Sequence, residues 1–454
     1  MAAISTGVLG AGALGLTLAY RLAQAGDRIT VIEREPEPGG LAAGFPVASA
    51  PDGSTVYLEK FYHHLFRADR AATGLIEELG LGDRLVWPTP VSSMLRDGKI
   101  YPLGALGLLR LTPLPFQDRL RMGAVIAYLR LEKGYQRLEG QTAHDWLIRW
   151  MGRNAYQVFA EPLLRQKFGE YADKIAMPWF WSRLHLRSME LGYLEGGFQA
   201  LYETLATRIV EMGGTMHLGT TITSIAPGSS GGIEVTTGSK THRFDRVVST
   251  LPAKITFDLT PALPPEFTER YRPGPAYGAH CLVLDMDRSF SDVYWIAIND
   301  PGYPFLAVVE HTNYIGPEQY EGKRLLYIGN YLPMGHPLYA RSAEELLAEF
   351  TPHLRRINPE FSPSWVRKAH SFAAPFAQPI VTNDYKERIA PHVTPIDNLY
   401  MANMFQIYPQ DRGQNYSVAM AERLARRLQR TGVVPGTAAA GASTPWRTDS
   451  QHPF

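Results

Sequence analysis

The chain has 454 residues, 45% of them hydrophobic, and carries 45 Lys and Arg against 44 Asp and Glu, a net charge of +1. That is enough apolar material for a large core shared by two or three domains, and the even charge, with no basic block, argues against a nucleic-acid partner. The single cysteine, Cys281, excludes an internal disulfide and a cysteine-rich metal site, and suits a reducing compartment.

The apolar run Thr6–Leu9 predicts a strand leading into Gly10-Ala-Gly12-Ala-Leu-Gly15. A helix follows from Leu14 to Ala25, then a turn at Gly26-Asp27 and a second strand, Arg28–Ile32, ending on Glu33. A dinucleotide site requires this order of strand, glycine loop, helix and strand. Gly10 permits the tight turn, Gly12 lets a pyrophosphate approach the backbone, and Gly15 lets helix and strand lie close. The free N–H groups and positive dipole end of the helix favour the diphosphate. Glu33 is placed to accept hydrogen bonds from ribose hydroxyls and to repel a 2′-phosphate. The glycines interrupt Val8–Ala25 and no basic segment precedes it, so it does not read as a signal peptide. No apolar run of about 18 residues predicts a transmembrane span.

Gly39-Gly40 reads as a second close backbone approach, to the diphosphate or a flavin edge, or as a turn after Pro36 and Pro38. Leu58–Phe66 is rich in aromatics and His. A helix is expected at Ala71–Leu79 and a hairpin at Val91–Tyr101 with Asp97-Gly98 as its turn. Helices then dominate from about 103 to 193, at Pro115–Lys133, Thr142–Met151 and Asn154–Leu164. Glu195-Gly-Gly-Phe198 opens the helix Gln199–Met212, followed by strands at Thr215–Leu218, Thr221–Ile225, Gly232–Thr237 and Arg246–Ser249. A sheet-like block runs from about Tyr277 to Asn330, and a helix covers Ser342–Leu354. The end of the chain offers a strand, Leu399–Asn403, a loop, Met404–Gln414, and a last helix near Tyr416–Arg430. The tail from about Gly432 is rich in Gly, Ala, Pro, Ser and Thr and reads as a disordered extension.

Taken together, the glycine loop, Glu33 and Gly39/Gly40 resemble the flavoprotein superfamily of protoporphyrinogen oxidases, amine oxidases, phytoene desaturases and UDP-galactopyranose mutases. Further matches are Tyr193-Leu-Glu-Gly-Gly-Phe198, Thr221–Ile225, Asp245–Pro252 (DRVVSTLP) and Leu399–Met404 (LYMANM), so the likeness covers nearly all of the first 430 residues. It departs at Asn403, where the family usually has Asp, and at Met404–Arg412. The resemblance implies an α/β fold, α+β overall. A Rossmann-type FAD-binding domain (residues 1–90, 191–260 and 371–430) is interleaved with a substrate domain. That domain has a helical part, 91–190, and a sheet-rich part, 261–370, with the tail at 431–454. FAD is the implied cofactor, held by Gly10, Ala11, Gly12, Leu14, Gly15, Glu33, Arg34, Gly39, Gly40, Leu41, Ile222, Asn403, Met404, Gly413, Asn415 and Tyr416. The last helix points its N-terminus at the flavin pyrimidine ring, where its dipole stabilises negative charge; Asn415 also reads as that helix's own cap.

On the substrate side, the resemblance places Tyr62, His63 and His64 near the isoalloxazine. In an extended segment only one of the two histidines reaches it. His64-Leu-Phe66-Arg67 partly resembles the His-Ile-Phe-His element of the mutases. A His there either positions substrate or moves a proton, or is a hydrogen-bonded structural residue. Lys167–Glu170 and Trp179–Arg187 form a second cluster. Arg183, His185 and Arg187 share a face if their stretch is extended and suit a carboxylate or phosphate; the alternative is a solvated or interdomain charged face. Arg412 reads as a partner of FAD phosphate, of substrate or of Asp411. His64, Arg183 and Arg412 are the catalytic candidates, with Tyr62, His63 and His185 added for substrate binding. No metal motif and no GxSxG is present. Leu106–Phe116 and Met122–Leu131, with Arg110, Arg119, Arg121 and Arg130, suit a peripheral membrane surface by resemblance, or a helix packed on the core or on a second copy.

The expected function is that of an FAD-dependent oxidoreductase, cytoplasmic or peripheral at the inner membrane face. It takes hydride from a small organic substrate, hydrophobic or anionic, onto flavin N5. The alternatives are a sugar-nucleotide mutase-like isomerase with no net redox change and a non-catalytic flavin-binding protein. Homodimer formation stays open.

Overall fold

A computed structural model describes residues 3–432 apart from 105, 106, 108–110 and 186. Arg110 and nearly all of the tail expected at 431–454 lie outside the described residues.

Five strands form a parallel sheet in the order Thr215–His217, Arg28–Ile32, Ser5–Leu9, Arg246–Ser249, Leu399–Met401. Val8, Leu9, Val31, Ile32, Val247 and Val248 are all buried, the unbroken apolar pattern of a parallel sheet covered on both faces. The first helix, Ala13–Gln24, buries Leu14, Leu18 and Leu22, four residues apart. It packs on the last helix, Gln414–Thr431, which buries Val418, Ala421, Leu424, Ala425 and Leu428 at helical spacing. Each such leucine contributes about 1.5–3 kcal/mol by its burial. The last helix starts at Gln414, two residues before the expected Tyr416, with Gly413 as its extended N-cap. The central strand Ser5–Leu9 pairs on both sides, so the connections diverge at its carboxyl end and leave a crevice there.

A second sheet of seven strands runs in the order Val366–Pro379, Ala276–Met286, Arg324–Leu332, Ala307–Glu310, Trp295–Ile298, Ser92–Arg96, Lys99–Pro102. Its edge strand Val366–Pro379 continues through residue 371, the boundary expected from the sequence, and the hairpin at 92–102 joins the same sheet. Both segments therefore pack with the sheet-rich part. The hairpin turns where expected: Asp97 and Gly98 have φ of 51° and 69°, and the Asp300 carboxylate accepts both of their N–H groups, at 2.6 and 2.8 Å. A turn with two positive φ values matches the twist of the flanking strands.

Helices fill the stretch between the hairpin and Leu191. Phe116–Leu131 buries Met122, Val125 and Leu129 and leaves Phe116, Leu120, Tyr128 and Leu131 exposed. Ala143–Met151 is capped by Thr142, whose hydroxyl accepts the Asp145 N–H. A π turn, Tyr156–Ala160, leads into Glu161–Phe168. Met177–His185 is helical, in keeping with the helices expected between 103 and 193, and buries Met177–Ser182, so the shared face that an extended stretch would give Arg183 and His185 does not form. Among the described residues no helix is long and apolar enough to cross a membrane.

Candidate functional site

The tight turn after the first strand puts Gly10 at φ 106°. A Cβ on Gly15 would stand 2.0 Å from the Gly10 carbonyl oxygen, so turn and helix touch through backbone alone. The helix Ala13–Gln24 starts at Gly12 with no side-chain cap and no acid in its first turn. Its N–H groups and positive end are left for an anion. Glu33 lies against this turn, its two carboxylate oxygens accepting the Ala11 N–H at 2.7 Å and the Glu35 N–H at 2.9 Å. Both oxygens keep a lone pair for a hydroxyl donor.

The second glycine pair closes on the first. Gly39 donates its N–H to the Ala11 carbonyl at 2.8 Å, and a Cβ on Gly40 would stand 3.1 Å from Gly12 Cα. Leu41 sits in the short turn Gly40–Ala42. Thr220 donates its N–H to the Glu33 carbonyl at 2.8 Å, which carries the strand Ile222–Pro227 to the acid. Arg34 points outward and pairs with Glu35.

Across the crevice, Ala402 donates its N–H to the Ser249 carbonyl at 2.9 Å. Asn403 is buried. Its Oδ1 accepts the Phe405 N–H at 3.0 Å and its own N–H donates to Gln406 Oε1 at 2.7 Å, fixing the turn that holds Met404. The last helix begins at Gly413 with no side-chain cap and no acid in its first turn. Asn415 does not cap it. Its Oδ1 accepts the N–H groups of Ala71 and Ala72 instead, at 3.0 and 3.1 Å, and so caps the helix Arg70–Glu78.

Asn403 Nδ2, Gln414 Nε2, Arg412 Nε and His64 Nδ1 are buried without partners. An unmet buried donor costs about 1–3 kcal/mol. These unmet groups, with Arg412 and Gln414 flanking the uncapped helix start at Gly413, fit a large polar group such as a flavin dinucleotide. Among the described residues no cluster suits a metal ion.

Arg183 and Arg412 come together around Asp411 and Tyr331. Asp411 Oδ2 lies 2.8 Å from Lys167 Nζ and 2.6 Å from Arg183 Nη1, and Trp179 Nε1 donates to Oδ1 at 3.3 Å. Burial alone would raise the Asp411 carboxyl, but Lys167, Arg183 and Arg412 hold it well below the usual carboxylate range. Arg412 donates to the Tyr331 hydroxyl at 2.6 Å. Tyr62 packs edge-on against Trp295 at 4.9 Å and Tyr327 at 5.8 Å; a Cβ on Gly329 would stand 2.6 Å from its ring.

The histidines lie between a bend at Lys60–Phe61 and the strand Leu65–Phe66, and both are half-buried. Burial, followed by Arg412, pushes His63 down to about 4, while Phe61 O near Nδ1 opposes this. Burial, then Arg187, His63 and Arg183, push His64 down to about 3. Both are neutral near pH 7. His185 does not join them. Its Nδ1 lies 3.0 Å from the Arg130 carbonyl and its ring stacks on Trp181, because in a helix residues 183 and 185 face different ways while 179 and 183 share a side. Sequence reasoning missed Tyr331 and Gln378, which donates toward Asp411 Oδ1 at 3.4 Å. Both come from the distant seven-stranded sheet, and no local pattern marks them.

A family model, flavin containing amine oxidoreductase, matches residues 15–409. The carotenoid phi-ring synthase of Streptomyces griseus is 30% identical over 268 residues, which are 54% of this chain and 51% of that protein, about half its length. Three solved structures share the fold. One, from Exiguobacterium sp. 255-15, is assigned as a protoporphyrinogen oxidase (TM-score 0.74, 18% identity, 95% of this chain and 99% of that one). The second is a reduced UDP-galactopyranose mutase (0.73, 14%, 94% and 95%). The third is the cyclohexylamine oxidase of Brevibacterium oxydans IH-35A (0.71, 13%, 94% and 99%). At these identities the structures speak for architecture alone.

Proposed function

The chain belongs to the flavin containing amine oxidoreductase family, and from that premise we propose how this FAD-dependent oxidoreductase holds its cofactor and its substrate. The FAD diphosphate lies on the start of the helix Ala13–Gln24, against the backbone of Gly10, Ala11, Gly12, Leu14 and Gly15. Glu33 takes the ribose hydroxyls, and the backbone at Ile222 meets the adenine, with Arg34 at its exposed edge. Gly39, Gly40 and Leu41 close over the middle of the molecule. Asn403, Met404, Gly413, Asn415 and Tyr416 surround the flavin end, Asn415 by its backbone, since its side chain is engaged with Ala71 and Ala72.

Bound there, FAD supplies N5 as acceptor for a hydride from the substrate. The protein orients the substrate and keeps water away from it. Tyr62 forms an aromatic wall, while Arg183 and Arg412 set the charge of the recess. His63 and His64, both neutral, offer hydrogen bonds rather than a charge. A group with so low a proton affinity is a poor base at neutral pH, which makes His64 a residue that positions substrate.

The observation that carries this reading is the pairing of an uncapped helix start at Gly12 with the Glu33 carboxylate 2.7 Å from the Ala11 N–H. The mutase reading is not favoured, because the likeness to the mutase structure is one of fold. Purified protein is expected to carry FAD, and its substrate to abolish the oxidised-flavin absorption band without air. Protein that is colourless and cannot be reconstituted would overturn the cofactor assignment; FAD that no organic substrate reduces would leave a flavin-binding protein.

A further inference from the structure

The recess is unbalanced in charge. Lys167 and Arg183 converge on one oxygen of Asp411, and Arg412 is the next residue in the chain. Arg187 lies to one side, exposed, with its guanidinium 5.3 Å from the Phe66 ring. Three cationic side chains, Lys167, Arg183 and Arg412, therefore act on one carboxylate. Among the described residues neither Arg187 nor Arg412 forms an ion pair, and Arg412 Nε is buried without a partner. Asp69, on which Arg187 acts, is buried and accepts the Phe66 N–H at 2.9 Å, and burial pushes its carboxyl up to about 6, so near pH 7 it serves as the counter-charge of Arg187 and leaves the set around Asp411 uncompensated.

The cations bear this strain. Burial, then Arg183 and Arg412, push the Lys167 ammonium well below the ordinary lysine range against the pull of Asp411. Aromatic rings lie against the cations. The Trp179 ring lies under both Lys167 and Arg183, at 5.3 and 5.0 Å, and the Tyr331 ring under Arg412, at 5.3 Å.

We propose that the substrate is an organic anion whose carboxylate or phosphate is held by Arg183, Arg412 and Lys167 beside Asp411, and that ammonium compounds are refused. The inference rests on the reading that this recess is the substrate side of the flavin site, and deepens it. A guanidinium matches a carboxylate or phosphate with two parallel hydrogen bonds, and Asp411 holds Arg183 in place without neutralising the set. An amine would enter with the wrong charge, in contrast to the substrate named for the cyclohexylamine oxidase that shares the fold.

The test is calorimetric titration of the purified full-length protein with three probes of one shape: benzoate, neutral benzamide and cationic benzylamine. Benzoate is expected to bind, and the other two to bind at least about tenfold more weakly or not at all. Arg183→Gln and, independently, Arg412→Gln are expected to weaken benzoate by at least about tenfold, the usual scale for losing one charge-assisted hydrogen bond. Two variants keep the test valid if one fails to fold, which circular dichroism reads. Benzylamine binding as tightly as benzoate, benzoate binding unchanged in the folded variants, or no benzoate binding at all would each overturn the proposal. The FAD content of the same preparation is read separately by absorbance. Protein that lacks FAD, cannot be reconstituted with it and still binds benzoate would sink the cofactor assignment and leave the anion site standing.

Discussion

Asn415, in the first turn of the last helix, accepts the backbone N–H of Ala72 at 3.1 Å. It accepts that of Ala71 as well. One side chain thus caps a neighbouring helix rather than its own, and joins the helix that faces the flavin end to Arg70–Glu78. Replacing a good cap by alanine costs about 0.5–2 kcal/mol. Asn415→Ala is expected to lose about 1 kcal/mol, read as a lower urea midpoint with an unchanged slope. A loss below about 0.3 kcal/mol would show that the cap carries no weight.

Glu33 serves two masters, the Ala11 N–H and the expected ribose. Glu33→Ala is expected to weaken FAD binding by at least about tenfold, the scale of one lost hydrogen bond to a charged group. Glu33→Gln, which keeps an acceptor oxygen, is expected to fall between. Equilibrium dialysis against FAD measures both, and wild-type affinity in Glu33→Ala would be the contrary result.

Asp411 is the counter-ion of a crowded cationic recess, in direct contact with Lys167 and Arg183. Removing one partner from a buried ion pair leaves the other charge uncompensated, at about 3–5 kcal/mol. Asp411→Asn is expected to be among the most destabilising single changes in the protein, whether FAD is present or absent. A denaturation midpoint equal to wild type would contradict this.

Glu59 gives the fold a pH dependence. It is fully buried, and accepts the Phe198 N–H at 2.7 Å and the Tyr193 hydroxyl at 3.0 Å. Burial pushes its carboxyl up from 4.5 to about 7, with the two donors acting against the rise. A raised acid binds its proton more tightly in the fold than in the open chain, so its contribution is full below about 4.5 and is lost as pH climbs toward 7. At about 1.4 kcal/mol per pKa unit the loss is on the order of 3 kcal/mol. Glu59→Gln is expected to flatten the fall in stability across that window, measured by urea unfolding at several pH values. An unchanged slope would refute it.

The cofactor end was legible because its parts are neighbours in the chain. Gly10, Gly12, Gly15 and Glu33 lie within one strand–helix–strand unit, and backbone sterics with local hydrogen bonding fix their geometry wherever the rest of the chain goes. The same holds for the turn at Asp97-Gly98. Arg183 and His185 went the other way. Their shared face depends on an extended stretch, and the helix Met177–His185 turns the two side chains apart.

By itself, the sequence determined that a dinucleotide-type crevice exists, since residues a few positions apart can reach each other in only a few ways. The tertiary structure alone decided the character of the recess facing it. Tyr62, Lys167, Arg183, Tyr331, Gln378 and Asp411 come from segments up to hundreds of residues apart. Their meeting depends on the pairing order of the seven-stranded sheet and on how the helices pack against it, and no short stretch of chain encodes either one.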